Sequence, residues 1–394
     1  MPVKSLVRTL QAATFFLAAS YGVMFTMLDD YRDEYGISES FLGLIVAMGF
    51  FSSFIGQLSL APLADRGHAK RLLVVGFTAQ IAGLLLMAYG TTAVLLSSGR
   101  LLMGIGAGMA MPALRRIVIV ADPENLGTNM GRLLSVDVAG FATGPVLAVL
   151  TVDRFGIASP YLVLVVAIIA VSLALANLPI PETAVDDQPS ERLALDLLRD
   201  RGVLGAVLIG VALFLMIGTF DSLWAVMMED LEAPSWMANT GVALFVLPMI
   251  VLGPYGGRLA QRVGPYKTGA IGMLVGALCM TLYGFLPEPG LMMGVFFLHI
   301  VNDGFTVTSA GVAVGIAAPA ERQAGAQGLL GGMQTLTGGI AASLAGWSYD
   351  SFGRGTTFLV TAMIMLVLIA LGYSLAGEHR TRRPVETAAM ASTH

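Results

Sequence analysis

Long apolar stretches separated by short polar turns run through almost the whole chain. A helix needs about 20 mostly apolar residues to cross the hydrocarbon core of a bilayer, and segments of that length recur along the sequence. They lie near residues 9–28, 39–60, 72–91, 94–114, 130–149, 158–178, 203–227, 237–257, 268–286, 290–312, 325–347 and 356–376. The pattern predicts twelve membrane-spanning helices, which we number spans 1 to 12.

Few charged side chains are available to cover a water-facing surface. Hydrophobic residues make up 56% of the 394 residues, charged residues only 12%, and the mean hydropathy is +0.78. A soluble protein carries about 25% charged residues, so the composition indicates a bilayer as the solvent. The near balance of 22 basic and 26 acidic residues argues against nucleic acid as a partner.

The start of the chain and its one cysteine each exclude a class of structure. The stretch MPVKSLVRTLQAATFFLAASYGVMF begins like a signal peptide, with basic residues before an apolar run. That run is too long for a signal peptide and further apolar segments follow, so we expect it to remain as span 1. Cys279, the single cysteine, predicts neither an internal disulfide nor a metal cluster.

Basic residues lie almost entirely on one side of the predicted spans. Of the 22 lysines and arginines, Arg100 lies within span 4, and only Arg32, Arg154 and Arg354 fall on the side opposite the termini. The remaining 18 share a side with both termini. Because loops rich in Lys and Arg stay in the cytoplasm, both termini are predicted to be cytoplasmic.

The two halves of the chain are similar in sequence. LADRGHAKR at 63–71, after span 2, returns 196 residues later as LAQRVGPYK after span 8, and VDRFG at 152–156 returns 197 residues later as YDSFG. A shared offset indicates an internal duplication, and six-span repeats are typical of secondary transporters. The predicted domains are residues 1–178 and 203–376, joined by a polar cytoplasmic linker at 179–202 and followed by a disordered tail at 377–394.

Three motifs resemble those of the major facilitator superfamily, and the resemblance extends over essentially the whole chain. APLADRGHAKR at 61–71, with a second copy GRLAQRVGPYK at 257–267, is similar to the family's loop motif G-x-L-A-D-R-x-G-R-K. RLLMGIGAG at 100–108 is similar to the family's span-four motif, and GFATGP at 140–145 to the G-x-x-x-G-P motif of its drug and proton antiporters. The resemblance implies an all-α membrane protein, with twelve transmembrane helices in two pseudo-symmetric six-helix bundles.

The resemblance also implies which residues of the loop motif act in gating. In the family, the Asp and Arg of the motif latch the cytoplasmic side, which implies this role for Asp65 and Arg66. Topology and turn chemistry alone are the alternative. Gln261 stands where Asp65 does in the second copy, so a charged latch is expected only in the first half. The other candidate gating residues of the two copies are Arg71, Gly257 and Arg262.

The glycines of span 5 have a physical role of their own. Gly140 and Gly144 lie one turn apart and permit close approach of a neighbouring helix. Pro145 is expected to bend the span at this interface. Packing alone would explain these residues too, but the bend would still shape a cavity.

Ionisable residues inside the spans are candidates for proton coupling, because each costs roughly 2.5–3.5 kcal/mol in a bilayer. They are Arg100, Asp137, Asp221, His299 and Asp303. Asp137 is the predicted partner of Arg100, with a purely structural ion pair as the alternative. His299 and Asp303, four residues apart, share a helical face. Asp221 lies among apolar residues and is predicted to take up and release protons, or else to make a structural hydrogen bond.

Aromatic and polar residues in the spans are candidates for a substrate cavity. They are Tyr21, Phe25, Asp30, Phe220, Trp224 and Asn302. The aromatic members suit an adaptable apolar pocket, and Asp30 would attract cations at its mouth. The alternatives are ordinary core packing for the aromatic residues and a solvated helix end for Asp30.

These features favour a secondary transporter that exports a hydrophobic or amphipathic compound by proton antiport. Proton-coupled uptake of a small polar solute, and export of a lipid or lipid precursor, are the alternatives. No Walker loop, nucleophile or metal constellation indicates an enzyme. No cofactor is expected besides the proton gradient. The expected partners are a small-molecule substrate, protons and membrane lipids, and we expect a monomer in a bacterial inner membrane.

Overall fold

The computed structural model describes residues 3–380, apart from the side chains of Val3, Ser235 and residues 239–245. These residues form helices and turns without a strand, which confirms the predicted all-α class. Spans 1 to 6 comprise Val3–Thr26 with Leu28–Tyr35, Glu39–Ile55, Ala69–Tyr89, Ala93–Ala121, Leu126–Phe155 and Ser159–Ala176. Spans 7 to 12 comprise Arg201–Asp230, Ser235–Val263, Pro265–Phe285, Pro289–Thr306 with Ser309–Ala317, and the helical segment Gln323–Leu375.

Among the described residues, nine helical segments are long and apolar enough to cross a membrane, and the bent pair of span 1 brings the number to ten. One of the nine, Ala320–Leu375, has 56 residues and is broken at Gly353, where φ is 79°. A straight helix of that length would measure about 80 Å, far more than a bilayer, so it provides two spans, 11 and 12. Span 8 completes the predicted twelve with its 29-residue helix.

Short non-α segments sit between the spans. Span 2 ends in a π-helical turn, Gly56–Leu60, and a 3-10 helix, Ala61–Arg66. The turn to span 3 passes through Gly67 at φ 72°, a left-handed conformation that glycine adopts at little cost. Pro123–Asn125 precedes span 5 and Ala320–Arg322 precedes span 11, each as a single 3-10 turn.

The linker and the C-terminal end contain little regular structure. Two 3-10 turns, Val185–Asp187 and Leu195–Arg199, lie in the predicted linker. Gly377–Arg380 forms a further 3-10 turn at the start of the predicted tail. The rest of that tail lies outside the described residues.

The chain divides into two compact units that exchange short segments. Unit 1 holds Met1–Asp122, Val136–Ala194 and Ala320–Gly332, and unit 2 holds the rest, including Pro123–Ser135. The exchanged segments are the first turns of spans 5 and 11, and they are related by the same 197-residue offset as the sequence repeat. The domain bounds at 178 and 203 remain a prediction.

Equivalent positions in the two halves have equivalent backbone geometry. Gly156 and Gly353, 197 residues apart, both have φ 79°. In unit 1, the Gly22 backbone packs against Phe141, since a Cβ on Gly22 would lie 2.1 Å from the Phe141 carbonyl oxygen. In unit 2, Gly218 packs in the same way against Gly338, with 2.4 Å for the corresponding distance. This repetition is what an internal duplication predicts.

Candidate functional site

Asp65 lies at the start of span 11, inside unit 1. Its carboxylate accepts hydrogen bonds from the backbone N–H groups of Ala324, at 2.9 Å, and Gly325, at 2.6 Å. These N–H groups belong to the first turn of a helix, which has no internal partner for them and carries partial positive charge. Asp65 is 1% exposed, so the contact is made away from solvent. We call these bonds the Asp65 clasp.

Arg116 of span 4 completes this charge arrangement. Its Nε lies 3.2 Å from Oδ1 of Asp65, and both side chains are buried. The remaining guanidinium nitrogens donate to linker atoms, Nη1 to the Pro181 carbonyl and Nη2 to Thr183 Oγ1, both at 2.7 Å. Arg116 thus joins the carboxylate of the loop motif to the linker.

The linker also stabilises the beginning of span 3. The Glu182 carboxylate accepts hydrogen bonds from the backbone N–H groups of Ala69 at 2.9 Å and Lys70 at 2.7 Å. These are the first residues of the span 3 helix, so Glu182 caps it from 112 or more positions along the chain. The ammonium group of Lys70 also donates a hydrogen bond to the carbonyl of Ala176, the last residue of span 6.

Removing the Glu182 cap should destabilise the protein measurably. We expect Glu182→Ala to lower the free energy of unfolding by about 1 kcal/mol, because two first-turn N–H groups lose their acceptor. Thermal unfolding of purified protein checks this, with Asp186→Ala, an exposed linker residue, as the matched control. Equal unfolding temperatures for the two variants would show that the cap contributes nothing.

Spans 1 and 5 meet through the glycines that the sequence singled out. A Cβ on Gly144 would lie 2.3 Å from backbone atoms of Gly22 and Val23, and one on Gly140 would lie 2.2 Å from the Phe15 carbonyl oxygen. Pro145 cannot donate a hydrogen bond to the carbonyl four residues earlier, that of Phe141. This is the carbonyl that faces Gly22. The proline therefore leaves the Phe141 carbonyl without its helical donor at the contact between spans 1 and 5, which we call the seam.

Arg100 is buried without the partner that we predicted. It is 0% exposed, its guanidinium lies 4.4 Å from the centre of the Tyr21 ring, and the described residues include no ion pair between it and Asp137. None of its three guanidinium nitrogens has a hydrogen-bond partner among the described residues. The prediction failed because it used only the adjacency of spans 4 and 5. Arg100 instead points past Gly49 of span 2 towards span 1.

Asp137 interacts with a different arginine. Arg115 of span 4 is the basic residue whose charge acts on Asp137. Both side chains are half-buried. The two side chains make no ion pair within 4 Å among the described residues, so Arg115 acts on Asp137 only through its charge at longer range. The N-terminal half therefore holds one acidic group with a basic neighbour and one arginine over an aromatic ring.

His299 and Asp303 form a buried pair in span 10, within unit 2. Nε2 of His299 lies 3.6 Å from Oδ2 of Asp303, and the two side chains are 2% exposed. The Tyr283 hydroxyl lies 3.2 Å from Nδ1 of His299, on the other side of the ring. Asn302 donates to Asp303 Oδ1 at 3.2 Å and to the Gly272 carbonyl at 3.1 Å. The predicted shared face of His299 and Asp303 is thus a connected polar cluster.

Asp221 differs from this pair in its exposure. It lies on an exposed face of span 7, next to Ser222, and has no ion pair among the described residues. Asp221 is thus an exposed carboxyl group within an otherwise apolar span, a position that is costly in a bilayer.

The aromatic residues predicted to line a cavity fall into two groups. Phe220 and Trp224 are buried in unit 2, where they stack with Phe296 at ring-centre distances of 5.5 and 4.7 Å. In unit 1, Tyr21 lies under Arg100, and Phe25 contacts Phe141 with ring centres 6.0 Å apart. Their role in substrate binding remains a prediction.

Asp30 borders a pocket at the end of unit 1 opposite the loop motif. The pocket measures about 540 Å³ and is lined by Asp30, Asp33, Glu34, Tyr35, Ala88, Val152, Phe155, Gly156, Ile157 and Ala158. Asp29 makes an ion pair with Arg32 at 3.2 Å and is solvent-exposed. Asp30 is thus one of three carboxyl groups around an apolar floor.

The second copy of the loop motif contacts span 5. Gly257 packs so closely on Gly127 that a Cβ would lie 1.9 Å from the Gly127 carbonyl oxygen. Gln261 accepts a hydrogen bond from the Gly127 N–H at 2.7 Å and donates one to the Glu124 carbonyl at 2.9 Å. Gln261 thus contacts the start of span 5 through its neutral amide, a contact that the sequence did not predict. The other candidate gating arginines are solvent-accessible to differing extents: Arg66, Arg71 and Arg262.

The sequence did not predict the contacts of two residues, Arg116 of span 4 and Glu182 of the linker. Arg116 carried a sequence signal, since it stands among the basic residues of the cytoplasmic side, but its burial was not foreseen. Glu182 carried none, because its partners at Ala69 and Lys70 are distant in sequence.

The comparisons with known proteins agree with this architecture. The family model of the Major Facilitator Superfamily matches residues 10–226 and again residues 206–391. The chain belongs to this superfamily of membrane transporters and is a multi-pass membrane protein, not an enzyme.

Individual relatives and solved structures are similar to this chain at sequence identities of 13–26%. An uncharacterized MFS-type transporter, YhhS of Escherichia coli O6:H1, is 26% identical over 96% of this chain and 94% of its own length. The quinolone resistance protein NorA of Staphylococcus aureus is 26% identical over 33% of this chain and 34% of its own length. The proton:xylose symporter XylE superposes with a TM-score of 0.80 over 98% of each chain at 13% identity.

Proposed function

We propose that the protein is a proton-coupled antiporter that exports a hydrophobic or amphipathic small molecule by alternating access. The observation that carries the proposal is Asp221, an exposed carboxyl group in the otherwise apolar span 7. Such a group has few roles in a membrane other than binding a cation or a proton. Its apolar neighbours favour a substrate that needs little hydrogen bonding.

The buried cluster of His299 and Asp303 in span 10 offers the proton a second position. The cluster consists of Asp303, His299 and Tyr283, which are joined by close polar contacts. Imidazole, carboxyl and phenol groups in sequence suit a proton relay. Asp137 with Arg115 is a second candidate coupling site, in the other half of the chain.

Movement between the open states requires junctions that can separate. The Asp65 clasp joins span 2 of the first half to span 11 of the second half through two hydrogen bonds. We assign to it the role of holding the cytoplasmic side closed, with Arg66 and Arg71 keeping the loop at that side. The seam of Gly140 and Gly144 supports export, since it resembles the antiporter motif.

The name of NorA, a quinolone resistance protein, favours export, whereas XylE, a proton:xylose symporter, keeps uptake of a polar solute as the second candidate. The presence of Arg100 with unpaired donors among the described residues favours the second candidate if the substrate carries an acceptor. The assigned location is the bacterial inner membrane, with both termini cytoplasmic and the proton gradient as the energy source.

Proton release from proteoliposomes tests the proposal. With an imposed pH gradient, adding lipophilic cations such as tetraphenylphosphonium, or neutral amphipathic compounds, should collapse the gradient in the wild type. Asp221→Asn should abolish this response because the amide cannot carry a proton. Asp186→Asn, an exposed linker acid, is the matched control and should behave as wild type.

Three outcomes separate the candidates. A response lost only in Asp221→Asn establishes antiport with this residue as the coupling group. A response that survives in Asp221→Asn but not in Asp137→Asn moves the coupling site to the first half. If the folded protein responds to no compound, yet collapses the gradient when a panel of sugars and small acids is added, uptake replaces export.

A further inference from the structure

The two copies of the loop motif contact equivalent backbone positions with different side chains. Gln261 follows Asp65 by 196 residues, and Gly127 precedes Ala324 by 197. Asp65 accepts from the N–H of Ala324, and Gln261 accepts from the N–H of Gly127 at 2.7 Å. Each side chain thus accepts a hydrogen bond from the fifth span of the opposite half, which is span 11 for Asp65 and span 5 for Gln261. The donor is the equivalent first-turn N–H in both cases.

The residues around the two side chains differ in a matched way. Asp65 has the buried Arg116 as its counter-charge, and the position 196 residues after Arg116 is Val312, which is buried and apolar. An amide is uncharged and needs no counter-charge, but its NH₂ group needs an acceptor. The Nε2 of Gln261 donates a hydrogen bond of 2.9 Å to the Glu124 carbonyl. Both members of the charged pair are therefore replaced together by neutral residues.

We propose that Gln261 is a positioning residue for alternating access, which holds the start of span 5 against span 8 by a clasp without charge. We call its two hydrogen bonds the Gln261 clasp. The inference rests on the proposed function for its purpose, since only a transporter that rocks needs junctions that open. The protein then closes one junction with a charged clasp and the equivalent junction with a neutral one.

The packing under Gln261 suits a junction that opens and closes. Gly127 and Gly131 of span 5 lie against Gly257 and Gly253 of span 8, with a built Cβ on Gly131 only 2.1 Å from the Gly253 carbonyl oxygen. Glycine contacts bring the backbones together without interlocking side chains. The directional contacts at this junction are the Gln261 clasp and a longer hydrogen bond of 3.5 Å from Arg258 Nε to Thr128 Oγ1.

A cysteine reporter in the junction tests the proposal. Ser135 is 7% exposed, and its Oγ lies against Gly253, so Ser135→Cys places a thiol that is shielded while the junction is closed. We call this thiol the junction reporter. The natural Cys279, 4% exposed in span 9, is the internal control for general loosening of unit 2. The measurement is the rate at which a maleimide labels each cysteine in purified protein, which requires neither a substrate nor a proton gradient.

We expect Gln261→Met, which keeps the length of the side chain, to speed labelling of the junction reporter about tenfold, because two hydrogen bonds are lost. Cys279 should label at its original rate. Val263→Ala, an exposed residue at the end of the same helix, is the matched control and should leave both rates unchanged. Should Gln261→Met not fold, Gln261→Glu keeps the acceptor but loses the donor and is judged by the same two rates.

Two results would overturn the proposal. Unchanged labelling of the junction reporter would show that the amide contact does not hold the junction. Equal acceleration at the junction reporter and at Cys279 would show that Gln261 only stabilises the fold. Failure of the antiport assay would leave either labelling result intact, so the two proposals can fail separately.

Discussion

Gly144→Ala should destabilise the protein by about 3 kcal/mol or more and abolish transport. Overpacking a close contact costs about 1–3 kcal/mol and more where the neighbours are rigid. Here the added methyl carbon would lie 2.3 Å from main-chain atoms of Gly22 and Val23. Because these are backbone atoms, spans 1 and 5 must separate along the seam. The apparent unfolding temperature in detergent and the proton-release rate are the measurements.

Gly339→Ala is the matched control for this prediction. Gly339 is also a helical glycine in a membrane span, but a Cβ there would meet nothing within 4 Å among the described residues. The same chemical change should stabilise the protein slightly, by up to about 1 kcal/mol, because alanine is the better helix former. A Gly144→Ala protein as stable as Gly339→Ala would mean that the seam is loose enough to accept a side chain.

The course of the chain through the membrane was predictable because it follows from composition over long windows. Each span is marked by about 20 apolar residues, and the 197-residue offset related loops that the structure shows to be equivalent, such as those at Gly156 and Gly353. Breaks within spans were not predictable in this way. The interruption after Thr306 lies inside the stretch predicted as one continuous span, 290–312, and the helix after the bend at Met27 continues as the charged segment Leu28–Tyr35, which the apolar pattern did not include.

Side-chain partners were predicted well only where the repeat or a helical face restricted them. The His299–Asp303 pair follows from a four-residue spacing on one helix, which fixes the distance between the side chains. Arg100 was assigned to Asp137 only because spans 4 and 5 adjoin. Its side chain leaves span 4 in another direction and contacts the ring of Tyr21. Rotation of a helix about its axis depends on packing with every neighbour, which a single sequence does not specify.

The Gln261 contact lies between these cases. The offset identified Gln261 as the equivalent of Asp65, and we expected a charged latch only in the first half, without predicting the amide contact. An amide reaching a first-turn N–H satisfies the same orphan donor as a carboxylate does. The lesson is chemical: a helix start needs an acceptor, and charge is one of two ways to supply it.

Removing the carboxylate of the Asp65 clasp should cost the protein about 3–5 kcal/mol, the range found when one partner of a buried ion pair is deleted. Asp65→Ala leaves Arg116 charged and 2% exposed, and it also leaves the N–H groups of Ala324 and Gly325 without this acceptor. Arg116→Met should cost less, because Asp65 keeps both of these backbone donors. Equilibrium unfolding in mixed detergent micelles measures each loss.

The double variant Asp65→Ala/Arg116→Met decides whether the two residues act as a pair. Once Arg116 is gone, deleting Asp65 no longer strands a buried charge, so the double variant should be more stable than the sum of the single losses predicts, by about 1–3 kcal/mol. The exposed pair Arg32 and Asp33, 2.9 Å apart, is the matched control and should show a coupling of about 0–1 kcal/mol. Additive losses at Asp65 and Arg116 would mean that the helix start alone holds the carboxylate, and that Arg116 serves the linker rather than the clasp.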